Sequence, residues 1–408
     1  MPKSEPLSSV DAAWLHMDKP GSLATITSVA LFDQPLDFER VRATFAYRLL
    51  PFFPRFRQRV REPRLGLGLP RWEMDPDFDL ANHVERYTLP APRDEAALQQ
   101  VAGQLMGRPL DRRRPLWHIA VVERYRGGGA LIARIHHCLG DGVALVNVLL
   151  SMTDTTADAP WPEPPAPAGR PRRPWLASLA GRATETAEHA LSTAEHWLKD
   201  GWDALSHPLK PADQLALGGA YALALGKLTL ASPDRQTPFR GKPGHTKRLA
   251  WSRPIPLEEV KAIGRGLAGT VNDVLLATVA GGLRRYLEAQ DSPVDGLNLR
   301  AMVPVNLRRS GERLEALGNR FGLVLLSLPV GVRDPARRVR VLKQRMDEIK
   351  TSPEALVAFS ILGAMGLTPT QVEEVILKFF AAKATAVMTN VPGPREILYF
   401  AGRPIRRM

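Results

Sequence analysis

Between Ala159 and Pro174 the chain becomes dense in proline, interspersed with small and basic residues. Proline fixes φ and lacks an N–H, so such a stretch suits neither a helix interior nor a central strand. It predicts an extended linker, stiff where the prolines crowd. A chain of 408 residues also exceeds the usual size of one core. We therefore expect two domains, residues 1–158 and 244–408, joined by a linker and crossover region over 159–243. Within that region Trp175 to Leu205 carries apolar residues at helical spacing, with Trp197 and Trp202 near its end. A helix packed across the two domains is expected there; an interfacial helix on lipid is the alternative.

Each half mixes strand and helix patterns. In the first, Ser22 to Phe32 reads as a strand. Asp37 then caps a helix with Phe38, Val41, Phe45 and Leu49 on its apolar side, ended by Pro51 and Pro54. A helix is expected from Asp94 to Met106. The apolar runs Trp117 to Val122 and Ala130 to His136 flank Gly127-Gly128-Gly129 and predict a β-hairpin. In the second half, helices are expected from Pro256 and over Val274 to Tyr286, the latter led into by Thr270-Val271-Asn272-Asp273, and strands over Leu297 to Val305 and Gly322 to Leu328. Asp334-Pro335 is a helix start. Two apolar helices, Glu354 to Met365 and Thr370 to Lys383, then precede a strand from Thr385 to Thr389. The fold class is α/β, with a layered domain on either side of the linker.

The chemistry gathers in His136-His137-Cys138-Leu139-Gly140-Asp141-Gly142, between the second hairpin arm and a helix from Val143. Side chains alternate across a strand, so the two rings diverge and only one faces a given cleft. An imidazole titrates near neutrality and can take a proton from a hydroxyl or thiol attacking a carbonyl. We take His137 as the candidate base, although spacing alone does not decide between it and His136. Asp141 either orients the imidazole, as a triad acid does, or caps the following helix and pairs with an arginine. The strand-to-helix junction favours the structural role. Metal binding by His136, His137 and Asp141 is disfavoured, since the histidines diverge and no cysteine or glutamate cluster completes a set.

Asn272 reads first as part of a helix start, because Thr270 and Asp273 resemble a capping box. The functional alternative places its amide N–H against a developing oxyanion. Pro115-Leu116-Trp117 and Asn390-Val391-Pro392-Gly393-Pro394 are, taken singly, turn-and-strand punctuation.

The net charge of +13, from 55 Lys+Arg against 42 Asp+Glu, favours anionic partners. The basic clusters are short, scattered and free of interleaved aromatics, which argues against nucleic acid. A single cysteine excludes an intrachain disulfide framework and suits a reducing compartment. The opening residues lack a signal-peptide pattern. No apolar run reaches the roughly 20 residues needed to span a bilayer.

In order along the chain, these blocks resemble the bacterial wax ester synthase/acyl-CoA:diacylglycerol acyltransferase family. The resemblance runs through Ser9-Val10-Asp11, Pro109-Leu110-Asp111 to Pro115-Leu116-Trp117, His136 to Gly142, and Asn272-Asp273. It continues through Val303-Pro304-Val305-Asn306-Leu307-Arg308, Gly318-Asn319-Arg320-Phe321-Gly322 and Asn390 to Pro394. The double-histidine motif alone is shared with condensation domains of nonribosomal peptide synthetases and other relatives of chloramphenicol acetyltransferase; the ordered set is more specific.

The resemblance implies a two-domain, chloramphenicol-acetyltransferase-like fold with the site in an interdomain tunnel. It implies transfer of a fatty acyl group from acyl-CoA, a substrate, to diacylglycerol or a long-chain alcohol, with no cofactor and no metal. His137 would be the base, Asp141 would hold the motif in shape, and the alcohol would attack directly without an acyl-enzyme. Asn272 and Gly142 become candidate substrate-binding or oxyanion positions, and Pro115, Leu116, Trp117, Asp273, Asn390, Pro392, Gly393 and Pro394 structural motif positions. A cytoplasmic location is implied, peripheral on the inner face of the plasma membrane or on lipid inclusions. Family members continue past Asn-Val-Pro-Gly-Pro through further strands and a final helix, whereas this sequence stops at Met408. A second domain shortened at its C-terminus is therefore expected. The alternatives are a lipid- or acyl-CoA-binding relative impaired in catalysis, and an acyltransferase for another hydroxyl or amine.

Overall fold

The computed structural model describes residues 4–63, 68–164, 222–308, 317–350, 352–368, 370–391, 393–394 and 396–408. Most of the expected linker and the helix expected over Trp175 to Leu205 lie outside the described residues.

A six-stranded sheet forms the frame of the first half, in the order β11-β12-β2-β7-β6-β5. Its centre is β2 (Thr25–Phe32) and the hairpin β6 (Trp117–Tyr125) and β7 (Gly128–His136), all antiparallel; β5 (Val84–Arg86) adds in parallel to β6. The two-residue alternation sorts side chains between two cores. Trp117, Ile119, Val121 and Leu131 pack with Val41, Phe45 and Leu49 of the helical segment opened by α2 (Phe38–Thr44), and with Val148 of α4 (Gly142–Ser151). Ala120, Val122, Ala130 and Ile132 face the opposite way, onto α3 (Glu95–Met106). A small sheet of β1 (Ser4–Pro6), β4 (Arg71–Met74) and β3 (Gln58–Arg61) lies at the chain's start. The helix expected to run from Asp37 to Pro51 is capped as read, but its last part winds as a π-turn over Phe45–Leu49.

The second half carries α5 (Leu257–Gly266), α6 (Val271–Glu288) and α7 (Pro335–Lys350) against the hairpin β8 (Leu299–Asn306) and β9 (Phe321–Leu328). Two further helices follow, α8 (Glu354–Met365) and α9 (Thr370–Ala381). The strand expected over Thr385 to Thr389 shortens to β10 (Ala386–Val387), parallel to β8.

The end of the chain does not stay with this half. Strands β11 (Tyr399–Phe400) and β12 (Arg403–Arg407) return to the first sheet, where β12 pairs with β2. Phe400 is buried beside Phe32 and Phe45, with ring centroids 6.3 and 5.7 Å away. The expected domain over 244–408 thus needs correcting at its end, because Phe400 and Ala401 belong to the first core. Apolar burial decides this: Phe400 fills a gap between β2 and the Phe45 turn.

Helix α1 (Ser9–His16) joins the halves. Ala12 and Leu15 enter the first core, while Val10 and Ala13 pack on Leu362 and Met365 of α8. The helices meet closely, because a Cβ on Gly366 would sit 1.7 Å from the Ser9 carbonyl oxygen. No single helix among the described residues is long and apolar enough to cross a membrane.

Candidate active site

The double-histidine motif sits where β7 ends. His136 is the last strand residue, and His137 opens a 3-10 turn over His137–Leu139. The expected divergence of the rings is present, though the turn produces it as much as strand alternation does. His136 is 1% exposed; its Nδ1 accepts from the Cys138 N–H at 3.1 Å, and its Nε2 lies 3.7 Å from Asp18 Oδ2. Its surroundings are those of an interior group that braces the turn.

His137 points the other way, to the seam between the halves. Trp14 of α1 stacks on its ring, with centroids 4.1 Å apart and planes 14° from parallel, and Phe321 of β9 stands 5.8 Å away. Its Nδ1 lies 3.1 Å from Oδ1 of Asn319, a residue of the second half. Burial holds its pKa below the ordinary histidine value, against a smaller upward pull from the Asn319 bond. A lowered pKa favours the neutral ring, the state in which an imidazole can accept a proton.

Asp141 does not touch the ring. Oδ1 accepts from the Ala144 N–H at 3.0 Å, capping α4. Oδ2 takes the Arg308 guanidinium and the Arg320 N–H, the latter at 3.0 Å. Arg308 in turn donates to the Gly318 carbonyl at 2.8 Å. Of the two sequence readings of Asp141, the structure supports cap and arginine partner. The same pair draws the Gly318-Asn319-Arg320 segment against the histidine turn.

The other motifs divide. Leu116 and Trp117 are 1% exposed, Pro115 is buried, and the Leu116 carbonyl accepts from the His136 N–H at 2.9 Å. The Trp117 indole donates to the Phe56 carbonyl at 2.8 Å and stacks on His83 at 4.6 Å. This block therefore anchors the strand beside the histidines. Thr270 and Asp273 form the capping box of α6, and Asp273 is 1% exposed. Asn272 is half-buried in the same turn, and among the described residues no hydrogen bond links it to His137. Gly142 opens α4, and a Cβ there would meet Val391 at 3.5 Å, so the Asn390 loop lies against the motif. Asn390, Gly393 and Pro394 are exposed; Pro392 lies outside the described residues.

Three contributors escaped the sequence reading: Asp11, Trp14 and Asn319. Asp11 and Asn319 belong to motifs already noted, but nothing local tells that they meet across 308 positions. Cys138, beside His137, is fully buried, and burial pushes its thiol pKa well up, which disfavours the thiolate.

Residues 7–275 match the family described as wax ester synthase/diacylglycerol acyltransferase catalytic domain, and residues 317–408 match the WS/DGAT C-terminal domain. The chain is 29% identical to "Probable diacyglycerol O-acyltransferase tgs1" of Mycobacterium tuberculosis (strain ATCC 25618 / H37Rv), over 98% of this chain and 83% of that one. It is 31% identical to Mb3761c of Mycobacterium bovis, whose name also gives a diacylglycerol O-acyltransferase, over 96% and 84%. Among solved structures, a wax ester synthase/diacylglycerol acyltransferase from Marinobacter aquaeolei VT8 superposes with a TM-score of 0.61 at 23% identity, covering 98% of this chain and 85% of that one. The first condensation domain of the CDA synthetase superposes at 0.55 with 16% identity, covering 98% and 82%. These likenesses establish the fold.

Proposed function

The chain belongs to the wax ester synthase/diacylglycerol acyltransferase family, and from that premise we propose how its interdomain site works. The activity is acyl-CoA-dependent O-acyl transfer, making triacylglycerol or wax ester. We assign the base to His137. As the acceptor oxygen attacks the thioester carbonyl, Nε2, the ring nitrogen that Asn319 does not engage, takes the hydroxyl proton. The new C–O bond forms and the carbonyl oxygen gains charge. Collapse then breaks the C–S bond, and the proton passes from His137 to the leaving sulfur, giving free coenzyme A and an ester. The step balances with no further cofactor, and the inert thiol of Cys138 supports direct attack.

The observation that carries this reading is His137 itself: neutral, stacked on Trp14, and placed at the seam of the two halves. The test is purified protein with a long-chain acyl-CoA and either hexadecanol or diacylglycerol, with ester and free coenzyme A both measured. Ester formation lost in His137→Ala, with the fold intact by circular dichroism, is expected. Coenzyme A released without ester, or an unchanged variant, rejects it. Because the His137 pKa is depressed, the acid limb of kcat/KM should fall below the ordinary histidine value of about 6.5. Activity disappears as pH drops through that limb.

We further place the protein at an acidic lipid surface, the inner face of a membrane or a lipid inclusion. Its acceptors are water-insoluble, its net charge is +13, and Leu367, Val375 and Phe379 stand exposed on and before α9. Salt-sensitive co-flotation with anionic vesicles is expected; its absence at low salt rejects the placement.

A further inference from the structure

Resting on the assignment of His137 as base, we infer that Asp11 and Asn319 are positioning residues: they hold the imidazole as its Nδ1–H tautomer, so that Nε2 carries the lone pair. The orientation of the Asn319 amide is decided by what surrounds it. Its Nδ2 lies 2.7 Å from Asp11 Oδ1 and 2.7 Å from the His137 carbonyl oxygen. Both are acceptors, so the NH2 group must face them, and a flipped amide would set its oxygen against two others. The amide oxygen is thereby turned to His137 Nδ1, 3.1 Å away. An amide oxygen only accepts, so Nδ1 must donate and Nε2 is left unprotonated.

Asp11 makes that orientation firm. It is 4% exposed, and its Oδ1 also accepts the Asn319 backbone N–H at 3.2 Å. Its own N–H is held by the Ser8 hydroxyl at the cap of α1. Asp11 does not reach the imidazole, so it acts through Asn319. The order aspartate, asparagine, histidine repeats the logic of a triad, in which a third group fixes the tautomer of the base. Asp141, the acid nearest in sequence, is occupied by Ala144, Arg308 and Arg320.

The arrangement has a second consequence. His137 and Asp11 come from the first half and Asn319 from the second, so the Asn319 hold on the tautomer forms only when the halves are docked, beside the ring's contact with its own backbone carbonyl, which lies within the first half. Trp14, three residues after Asp11 on α1, covers the ring face and resists its rotation. One helix therefore supplies both the plane and, through Asn319, the proton position.

The tautomer can be read without turnover. In the full chain labelled with 15N-histidine, with His137 assigned by its loss in His137→Gln, the neutral ring should show a protonated Nδ1 and a pyridine-like Nε2. In Asn319→Ala the signal should move toward the Nε2–H form. That variant should lose kcat by on the order of 10²-fold with KM for acyl-CoA nearly unchanged. The acid limb should also shift to lower pH, because the Asn319 bond favours the protonated ring. Asp11→Ala should act in the same direction, whereas Asp11→Asn, whose amide oxygen can still accept from Asn319, should keep most of the rate. An Nε2–H ring in the unaltered protein overturns the inference even if Asn319→Ala fails to fold. So does a folded Asn319→Ala with the tautomer and acid limb of the parent. Asp11→Asn as damaging as Asp11→Ala removes Asp11 from the relay. If His137→Ala keeps its activity, the base assignment fails instead, and the spectra still report the tautomer.

Discussion

At the scale of single residues, Asp141 and His137 divide the labour of the motif. Asp141 is 4% exposed and its oxygens serve a helix cap, the half-buried Arg308 and a backbone amide from the other half. Removing one partner of such a pair strands the other charge in a poorly solvated place. Asp141→Ala should therefore cost about 3–5 kcal/mol in denaturant unfolding. Asp141→Asn, which keeps the cap, should cost less. A loss in Asp141→Ala no larger than that of an ordinary cap, about 1 kcal/mol, would contradict the pairing. Part of this is legible in the sequence: an acid at a strand-to-helix junction predicts a cap. Its arginine, 167 positions away, is not.

At the scale of elements, α1 does more than its eight residues suggest. It presents Asp11 to Asn319 and Trp14 to His137, and sends Ala12 and Leu15 into one core while Val10 and Ala13 face α8. Its close approach to α8 depends on Gly366, whose Cβ would lie 1.7 Å from the Ser9 carbonyl oxygen. At Gly363, one turn earlier, a Cβ would meet only Ser9 Oγ at 3.5 Å and Val10 Cγ2 at 3.8 Å. The two glycines should thus respond oppositely to alanine. Gly366→Ala must push the helices apart and should cost about 1–3 kcal/mol, with a fall in kcat as Asp11 and Trp14 shift. Gly363→Ala would make only ordinary van der Waals contacts within a helix and should stabilise by roughly 0.5–1 kcal/mol. Thermal unfolding of the pair decides it, and equal losses would refute the packing argument. The helical pattern of α8 was readable from its apolar residues; which of its glycines sits against a backbone was not.

At the scale of the whole molecule, the docking of the halves carries a charge-dependent contact. His16 at the end of α1 lies 2.9 Å from Glu373 of α9 and 3.7 Å from Glu62. The Glu62 and Glu373 contacts raise its pKa, while burial opposes them. Burial raises the pKa of Glu373 as well. A histidine with a raised folded pKa stabilises fully below its unfolded value and loses that contribution as pH rises through the folded one. The His16 contacts should therefore contribute a decline in unfolding free energy as pH rises above about 6.5. This is opposite to the rise contributed at lower pH by His83, His118 and His137, whose pKa values burial lowers. His16→Gln should remove the decline. An identical pH dependence in the variant would exclude His16 as its source.

The sequence by itself determined the local grammar: the α/β alternation in each half, the hairpin that delivers the histidines, the caps at Asp37, Asp141 and Thr270, and the ordered blocks of the family. These are short-range consequences of side-chain periodicity and of capping oxygens a few residues from the amides they satisfy. Only the tertiary structure decided which half the last strands join, which acid meets Asn319, and that Asn319 and not Asp141 faces the His137 imidazole. Those outcomes rest on apolar burial and on satisfying buried polar atoms between segments far apart in the chain. No local pattern encodes such partners, because any of several acids could cap or pair until packing brings one of them to the site.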